Sequence, residues 1–381
     1  MKDRKMEVKI YAMYLPQYHS IPENDKFWGE GFTDWVTVRN ATPLFQNHHQ
    51  PKIPLDDNYY DLSIKEDIKW QADLAKKYKI SGWGMYHYWF NNETNLLTKP
   101  SEIIRDNKDI DVNYFFAWDN GNWKRSWSNV QGNDWAPLME KCGQKEGPQI
   151  LIPYILGEKK DWENHFNYLL SFFVDSRYVK IDGKPLFMVY NYSSQIKEMA
   201  TYWDELAKKH GMEGIYVIYK NSEGGSWIWK SIIPPNDYCY NYEPIFSGWS
   251  YVPFVRRISN KICKIIGLKS RKKLRRLDYD KVWERILHNA ESRYSSRKIY
   301  HGGFVNYDDT PRRGSKGTII ENGSPEKFKK YLGGLIDISK RQGKDMIFLT
   351  AWNEWGEGAY LEPDKEMKYD YLNVIKELFE M

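Results

Sequence analysis

Residues 345–364 read Asp-Met-Ile-Phe-Leu-Thr-Ala-Trp-Asn-Glu-Trp-Gly-Glu-Gly-Ala-Tyr-Leu-Glu-Pro-Asp, a short apolar run followed by a dense group of acidic, amide and aromatic side chains. The apolar run, 346–349, has the length and composition of a parallel strand that is covered on both faces. Glu354 and Glu357 follow it closely, three residues apart and among Trp side chains. Two acidic groups are therefore predicted at the C-terminal end of a buried strand.

Two carboxylates in a wall of indole rings are suited to general acid and base catalysis on a sugar. A carboxyl group held against apolar rings has a raised pKa and can donate a proton, whereas a better solvated neighbour stays ionised. The plainer alternative is a Trp-rich core turn with two surface glutamates. Asn-Glu-Trp-x-Glu-Gly at a strand end, near the close of a chain of this length, favours catalysis. We therefore predict Glu354 and Glu357 as the catalytic residues.

The same order, an apolar run and then polar aromatic residues, recurs along the chain. Strands are predicted at 8–15, 80–86, 112–117, 185–190, 215–219, 237–242, 300–306 and 346–351. Helices are predicted between or after them at 61–78, 161–173, 199–209, 326–342 and 369–380. This alternation favours an α/β fold, the (β/α)₈ TIM-type barrel, with an active site at the C-terminal face of the strands. A doubly wound sheet would concentrate its site at one switch point instead.

Length and composition are consistent with one large domain. The chain of 381 residues can bury a large core, and we predict a single barrel domain over 1–381 with a basic amphipathic insertion at about 251–280. Aromatic residues make up 16% of the chain, more than a core requires, so many are expected to line a cleft. A net charge of +5 is too small for the whole chain to bind nucleic acid, and no such partner is predicted.

Positive charge is concentrated in the predicted insertion. Residues 256–276 carry ten Lys or Arg and no acidic residue, which leaves the rest of the chain about five units negative. Within 254–277 the apolar residues follow helical spacing, with cations on the opposite face. This pattern predicts a helix that contacts an anionic membrane surface. The alternative is a solvated insertion that packs on the barrel.

Cysteine usage and the N-terminus predict a cytoplasmic location, peripheral to the inner face of the membrane if 254–277 binds lipid. Cys142, Cys239 and Cys263 are scattered and lack metal-ligand spacing, which indicates free thiols in a reducing compartment. Residues 1–9 contain no apolar stretch that could serve as a signal peptide. A chain trimmed of its signal would look the same. No metal site and no Gly-rich phosphate loop is recognised, so no cofactor is predicted.

Five segments taken together resemble the WbsX-like proteins. They are Tyr14-Leu-Pro-Gln-Tyr-His, Trp28-Gly-x-Gly-Phe-Thr-Asp-Trp, His87-Tyr-Trp-Phe-Asn, Asp308-Asp-Thr-Pro-Arg-Arg and Ala351-Trp-Asn-Glu-Trp-Gly-Glu-Gly-Ala-Tyr-Leu-Glu-Pro-Asp. The resemblance runs from about residue 8 to residue 375, with the motifs in the same order. The WbsX-like family is related to glycoside hydrolase family 99, the endo-α-mannosidases.

The resemblance implies a (β/α)₈ barrel whose two catalytic glutamates, in an Asn-Glu-Trp-x-Glu motif on the last strand, correspond to Glu354 and Glu357. It implies retention at the anomeric carbon, with Glu354 as base toward the sugar's own 2-hydroxyl and Glu357 as acid toward the leaving oxygen. Such a mechanism requires an axial 2-hydroxyl, as in mannose. WbsX-like proteins are typically encoded among bacterial cell-surface polysaccharide genes and are commonly labelled glycosyltransferases. This setting implies a role in O-antigen or capsule metabolism.

One segment departs from the family pattern. Where the family usually shows Trp-Ala-Asn-Glu-Asn-Trp, this chain has Trp118-Asp-Asn-Gly-Asn-Trp123. A carboxylate is therefore absent at Gly121 and another is present at Asp119. If the usual glutamate contacts substrate, the specificity of this chain differs.

The remaining predicted site residues are aromatic or polar groups, many of them near predicted strand ends, which are expected to stack on sugars or to bind their hydroxyls. They are Tyr14, Gln17, Tyr18, Trp28, Trp35, His87, Tyr88, Trp118, Asn120, Tyr242, Asp308, Arg312, Trp352 and Asn353. Arg312 carries a further prediction based on charge, namely that it meets an acidic sugar or a phosphate on a lipid-linked acceptor. For His87, a satisfied core histidine is an equal alternative.

Two other function classes compete with a glycosidase or transglycosidase. A glycosyltransferase using a sugar nucleotide or lipid-linked sugar is the second choice, but the Asp-x-Asp pairs Asp109/Asp111 and Asp278/Asp280 follow no convincing strand of a nucleotide-binding unit. A catalytically silent sugar-binding module would need the aromatic residues but not a paired acid and base. The sequence therefore favours an enzyme that cleaves or transfers at a glycosidic bond of an oligosaccharide or polysaccharide.

Overall fold

The computed structural model describes residues 7–124, 150–221, 233–234, 236–248, 274–292 and 298–380. Its central strands, each close to its predicted position, are β1 (Lys9–Tyr14), β2 (Gly82–Asn91), β3 (Tyr114–Trp118), β4 (Lys184–Val189), β5 (Tyr216–Asn221), β6 (Tyr238–Asn241), β7 (Ile299–Phe304) and β8 (Met346–Thr350). Each strand pairs in parallel with the next in the chain. Strand β8 then pairs with β1, Lys9 lying beside Met346, so the sheet closes. The predicted (β/α)₈ barrel is confirmed.

Helices cover the outside of this barrel. In the described residues they are α1 (Pro22–Trp28), α2 (Asp34–Arg39), α3 (Lys65–Lys77), α4 (Lys99–Asp106), α5 (Lys159–Phe173), α6 (Ser194–Lys209), α7 (Ile245–Gly248), α8 (Tyr279–Ser292), α9 (Thr310–Arg313), α10 (Pro325–Arg341) and α11 (Asp370–Glu380). Local chemistry sets their starts: the Ser193 hydroxyl caps α6 by accepting the N–H of Ile196 at 3.2 Å. None of these helices has the length and apolarity needed to span a bilayer.

Residues 21–60, where neither helix nor strand was predicted, contain α1 and α2. Helix α2 lacks the apolar periodicity of a long surface helix, so no periodic pattern marks it in the sequence. Short turns of 3₁₀-helix also lie outside the barrel, at Leu55–Asp57, Gly314–Lys316 and Trp355–Glu357. These short elements shape the loops at the C-terminal face.

Aromatic side chains fill the barrel interior. The ring of Phe348 on β8 lies 5.8 Å from Phe115 and 5.2 Å from Tyr240, measured between centroids. Tyr11 and Tyr300 complete its ring contacts at 6.1 and 6.0 Å. Such edge and offset contacts pack the centre densely. The interior is therefore a core, and a site has room only at its ends.

Short strands lie outside the barrel. One small sheet consists of Arg275–Asp278, Thr318–Glu321 and Tyr307–Asp308, with Thr318–Glu321 in the middle. Two antiparallel pairs stand alone: Asn353–Glu354 with Ala359–Tyr360, and Trp123–Lys124 with Ile150–Ile152. Two further short strands pair with barrel strands, Thr94–Leu96 with β2 and Lys180–Ile181 with β4. The helix predicted over 254–277 is wrong at its C-terminal end, because Arg275–Asp278 is a strand whose backbone pairs with Thr318–Glu321. Residues 249–273, which hold most of the predicted basic helix, lie outside the described residues.

Candidate active site

One arginine side chain joins the two predicted catalytic glutamates. Arg312 lies in α9, which follows β7, and its Nη1 donates to Oε1 of Glu357 at 2.8 Å. Its Nη2 donates to Oε2 of Glu354 at 3.1 Å. Both carboxylates therefore converge on one guanidinium beyond the C-terminal end of β8. The Glu354 side chain is 5% exposed and that of Glu357 17%, so Glu357 is the more open to a ligand.

A third carboxylate, Asp34 at the start of α2, holds the same guanidinium. Arg312 Nη2 lies 3.1 Å from Asp34 Oδ2, which also accepts the backbone N–H of Gly356 at 3.2 Å. A Cβ at position 356 would lie 2.6 Å from both Arg312 Nε and Asp34 Oδ2. Only glycine therefore allows this close approach. Asp34, a residue that the sequence analysis did not select, fixes Arg312 against the turn that carries the glutamates.

Hydrogen bonds from the first strand region position the glutamate turn. The Tyr18 hydroxyl donates to the carbonyl of Asn353 at 2.6 Å and accepts the N–H of Trp355 at 3.2 Å. The Asn353 side chain accepts the N–H of Leu15 at 2.7 Å and donates to its carbonyl at 3.0 Å. The ends of β1 and β8 are thereby joined, and the backbone on both sides of Glu354 is fixed.

A further buried carboxylate, Glu362, supports the turn from behind. Its Oε2 accepts the indole N–H of Trp355 at 2.7 Å and the hydroxyl of Tyr60 at 2.8 Å, and its Oε1 accepts Nε2 of Gln71 at 2.7 Å. Burial raises the pKa of Glu362 to about 7, although these hydrogen bonds act in the opposite direction. Glu362 was not predicted as a site residue, since its role depends on partners distant in sequence.

The electrostatics distinguish Glu354 within this cluster. Burial raises the pKa of Glu354 to about 8; the Arg312 cation offsets part of this rise, while Glu357 and Asp34 add to it. One guanidinium carries a single positive charge against three carboxyl groups, which favours the protonated form of Glu354. The site thus places a carboxyl group of raised pKa beside two other carboxyl groups.

Tyrosine side chains on other strands lie within the electrostatic influence of the glutamates. Burial raises the pKa of Tyr242, and the charges of Glu357 and Glu354 raise it further. Burial also raises the pKa of Tyr88, and the charges of Asp119 and Glu354 add to this rise. The rings of Tyr190 and Tyr242 lie 6.1 Å apart. Tyr88 and Tyr242, both predicted as sugar-binding residues, therefore belong to the same end of the barrel as the glutamates.

Several other predicted sugar platforms are buried in the walls, which corrects their expected role. Trp118 donates its indole N–H to the carbonyl of Trp89 at 2.9 Å, Tyr14 donates its hydroxyl to Gln71 at 2.7 Å, and Trp352 packs against Trp83 at 5.8 Å. Side chains with at most 1% of their surface exposed cannot stack on a sugar, and these are Tyr14, Tyr18, Trp118, Trp352 and Asn353. Trp35 donates its indole N–H to the carbonyl of Tyr60 at 2.9 Å. These side chains shape the site without lining it.

His87 is the core histidine of the alternative interpretation. Its Nε2 lies 2.8 Å from Nε2 of His165, and its ring stacks on Tyr168. Burial lowers the pKa of His87 to about 3, so the ring is neutral. The predicted substrate contact is therefore corrected to a packing role between β2 and α5.

The other predicted residues serve the loops. The Asn120 side chain donates to the carbonyl of Asn191 at 2.8 Å, which holds the end of β3 against that of β4. Asp308 accepts hydrogen bonds from His48 and Gln50 at 2.8 and 2.7 Å. Trp28 packs on Phe32 in a small separate cluster, and Gln17 is buried beneath α2, its carbonyl accepting the N–H of Asp34. No described contact joins these four to Glu354 or Glu357.

The charge-based prediction for Arg312 is also corrected. Its guanidinium hydrogen-bonds to three internal carboxylates, so an acidic sugar or phosphate would have to displace one of them. The Asp-x-Asp pairs lie away from this cluster: Asp109 pairs with Lys65, and Asp280 with Lys327. Among the described residues no group of three or more His, Cys, Asp or Glu side chains is arranged to hold a metal ion.

Comparison with known proteins assigns the chain to a family. The family described as Glycosyltransferase WbsX matches residues 10–375. The chain belongs to the WbsX family. Two curated relatives from Xanthomonas campestris pv. campestris, both named Uncharacterized protein WxcX, are 26% identical over 377 residues, which cover 97% of this chain and 49% of theirs. The chain thus spans about half the length of the curated relatives that it matches.

Solved structures share the barrel of this WbsX family member. The GH99 endo-alpha-mannosidase from Bacteroides thetaiotaomicron has a TM-score of 0.54 and 14% identity over 97% of this chain and 96% of its own. A glycoside hydrolase-like protein has a TM-score of 0.54 and 13% identity over 98% and 94%. Identities this low show a common fold.

Proposed function

We propose that this WbsX family member cleaves or transfers at a glycosidic bond, with Glu354 and Glu357 as its catalytic residues. The proposal is carried by one observation: both carboxylates bind the same guanidinium, on its two terminal nitrogens. A structural ion pair needs one carboxylate, whereas acid and base catalysis needs two groups that differ in proton affinity. The substrate is an oligosaccharide or polysaccharide of the bacterial cell surface, and mannose-type sugars fit the family relationship.

The roles follow from the resemblance to family 99. Glu357 protonates the leaving oxygen. Glu354, once deprotonated, takes the proton of the sugar 2-hydroxyl, whose oxygen attacks the anomeric carbon as the glycosidic bond breaks. Water or an acceptor hydroxyl then opens the cyclic intermediate with the two roles reversed, and the configuration is retained.

This assignment predicts a distinctive pH profile. The pKa of Glu354 is about 8 in the free protein, so its basic form is in the minority at pH 7 and grows as the pH rises. The ratio kcat/KM should therefore change its pH dependence near pH 8, because it follows ionisation of the free enzyme. Initial rates from pH 5 to 9, measured for the wild type and for Glu354→Gln, show whether this change belongs to Glu354. A change near pH 8 that persists in Glu354→Gln would exclude Glu354 as its source.

The decisive assay compares donors. The protein is incubated with the surface polysaccharide of its host and, separately, with sugar nucleotides, and the component consumed is identified. The variant carrying both Glu354→Gln and Glu357→Gln serves as the blank. Cleavage or transfer of polysaccharide by the wild type alone supports the proposal, and NMR of the first product shows whether its anomer is retained. Consumption of sugar nucleotides alone would overturn it.

The second candidate is a glycosyltransferase using a sugar nucleotide or lipid-linked sugar in O-antigen or capsule biosynthesis, and the description of the family as a glycosyltransferase favours it. The two candidates differ in their response to chelators. The proposed mechanism uses only side chains and should survive EDTA. Loss of activity with EDTA and its recovery with Mn²⁺ would favour the sugar-nucleotide reaction.

The predicted membrane contact of 254–277 belongs to the same proposal, since a lipid-linked or membrane-borne glycan would require it. Sedimentation with anionic liposomes at low salt, reversed by high salt, is the expected result. Absence of sedimentation at low salt would leave the segment as a solvated insertion.

A further inference from the structure

Lys220 places a cation at the barrel mouth that the proposed mechanism does not use. It lies near the end of β5, with its Nζ 3.6 Å from the ring centroid of Tyr190 and 4.8 Å from that of Tyr242. Cation–π contacts of this kind hold an ammonium group in place without using its N–H donors. Burial lowers the pKa of Lys220 to about 8, and the charges of Asp119 and Glu357 act against this shift. Lys220 thus lies within the electrostatic field of a catalytic carboxylate.

Asp119 directly follows β3, two strands away from β5 in the barrel, at the same end of the sheet as Lys220. Its backbone N–H donates to the carbonyl of His87 at 3.0 Å, which fixes the position of the residue. Burial raises the pKa of Asp119, and the charge of Lys220 acts in the opposite direction. A Cβ at Gly121 would lie 3.7 Å from Asp119 Oδ1 and 3.3 Å from Asn191 Nδ2, so glycine leaves the space beside this carboxylate open.

Within the described part of the chain, no acceptor hydrogen-bonds to the Lys220 ammonium, no donor hydrogen-bonds to the Asp119 carboxylate, and the two do not form an ion pair within 4.0 Å. Both side chains are only partly buried, so a ligand can reach their charged groups. A ligand that binds both would accept a hydrogen bond from Lys220 and donate one to Asp119.

Hydroxyl groups meet both demands, because each O–H donates one hydrogen bond and accepts others. An anionic substituent would satisfy only Lys220. It would also lie close to the carboxylates of Asp119 and Glu357, where like charges repel. The charge balance therefore favours a neutral polyhydroxyl ligand over an acidic one.

We propose that Lys220 and Asp119 form a subsite that binds the hydroxyls of a neutral sugar next to Glu357. Lys220 donates to a hydroxyl oxygen, Asp119 accepts from a hydroxyl hydrogen, and the Tyr190 and Tyr242 rings hold Lys220 in place. The subsite rests on the proposed function and narrows its substrate class. The sugar bound there carries free hydroxyls and no carboxylate, sulfate or phosphate at the position that meets this pair.

The test measures binding apart from catalysis. The full chain carrying Glu354→Gln is titrated by NMR with methyl α-mannopyranoside and with its C6-oxidised uronate, which differs only by a carboxylate. The neutral glycoside should bind at least about tenfold more tightly than the uronate. Added Lys220→Met or Asp119→Asn should each weaken mannoside binding about tenfold, the loss expected for one hydrogen bond to a charged group. Asp119→Asn should also reduce the difference in affinity between the mannoside and the uronate.

Controls separate recognition from folding. Lys298, which directly precedes β7, also has its Nζ over a tyrosine ring, 4.3 Å from the centroid of Tyr238. Lys298→Met should therefore leave mannoside binding unchanged. Lys220→Arg keeps the cation and its donors and should retain most of the affinity. Thermal unfolding verifies each variant, and if Lys220→Met does not fold, the isosteric Asp119→Asn decides.

Three results would overturn the subsite: tighter binding of the uronate, mannoside binding that both substitutions leave unchanged, or binding of neither glycoside. None of these depends on turnover. Failure of the proposed function would appear instead as unchanged polysaccharide consumption when Glu354 and Glu357 are replaced.

Discussion

Two arginines with buried carboxylate partners lie at opposite ends of this barrel, and their surroundings differ. Arg177, before β4, hydrogen-bonds to Asp175 at 2.8 Å and to the carbonyls of Asn107 and Ile110 at 2.9 and 2.7 Å. Arg312, at the C-terminal face, has three carboxylate partners. Arg177 therefore balances the negative charge of one carboxylate, whereas Arg312 is outnumbered by three carboxyl groups.

The pKa values follow this difference. Burial alone would raise the pKa of Asp175, but hydrogen bonds from Arg177 and Lys108 hold it below its usual value. Burial raises the pKa of Glu354 to about 8 despite its contact with Arg312. A carboxylate matched by cations stabilises the fold, while an unmatched one retains a proton that can be transferred. The ratio of carboxyl groups to cations therefore distinguishes the structural cluster around Arg177 from the candidate catalytic cluster around Arg312.

The largest expected effect is a loss of turnover when the Arg312 cluster is altered, compared with unchanged turnover when the Arg177 cluster is altered. Glu354→Gln and Glu357→Gln should each reduce turnover by at least about 10², since each removes a proton-transfer group, and should leave the fold intact. Asp175→Asn should lower the melting temperature and leave turnover near that of the wild type. Steady-state rates and thermal unfolding of the three variants provide the measurement. Wild-type turnover in either glutamine variant would remove that residue from the mechanism.

The second effect concerns stability and its pH dependence. Arg177→Met should lower the free energy of unfolding by on the order of 3 kcal/mol at pH 7, because Asp175 loses its main partner. Arg312→Met leaves Asp34, Glu354 and Glu357 without a cation, so they bind protons more tightly in the folded than in the unfolded state. Stability should therefore fall as the pH rises from 5 to 8.

Urea unfolding at pH 5 and pH 8 tests both arginine variants. For Arg312→Met, the decrease in the free energy of unfolding relative to wild type should be small at pH 5 and large at pH 8. For Arg177→Met, the loss should instead shrink only near the ordinary pKa of an aspartate, below about pH 4. The same pH dependence in both variants would remove the distinction between the clusters.

The smallest effect compares two tyrosines with the same hydrogen-bond pattern. Tyr18 donates to the Asn353 carbonyl and accepts the Trp355 N–H, while Tyr178 donates to the Leu186 carbonyl at 2.8 Å and accepts the Phe116 N–H at 3.1 Å. Tyr18→Phe and Tyr178→Phe should each cost about 1 kcal/mol of stability. Only Tyr18→Phe should also reduce turnover, because it loosens the glutamate turn. Equal activity of the two variants would show that Tyr18 has a purely structural role.

Sequence patterns predicted the barrel because apolar runs and helical spacing are local properties. All eight strands lie close to their predicted positions. The same patterns missed α2, whose six residues lack an apolar period. They also could not distinguish an aromatic residue that lines the mouth from one that packs behind it. Trp352 and Tyr242 both follow predicted strands, yet Trp352 packs against Trp83 while Tyr242 lies in the field of both glutamates.

The sequence by itself determined the barrel, its family and the choice of Glu354 and Glu357, since these depend on periodicity and on one contiguous motif. Only the tertiary structure decided that Asp34 and Arg312, 278 residues apart, meet at those glutamates, and that Lys220 and Asp119 lie at the ends of the two strands that flank β4. The physical reason is that strand pairing, burial and electric field act between residues remote in the chain. Hence the charge balance that sets each pKa arises only after the barrel has closed.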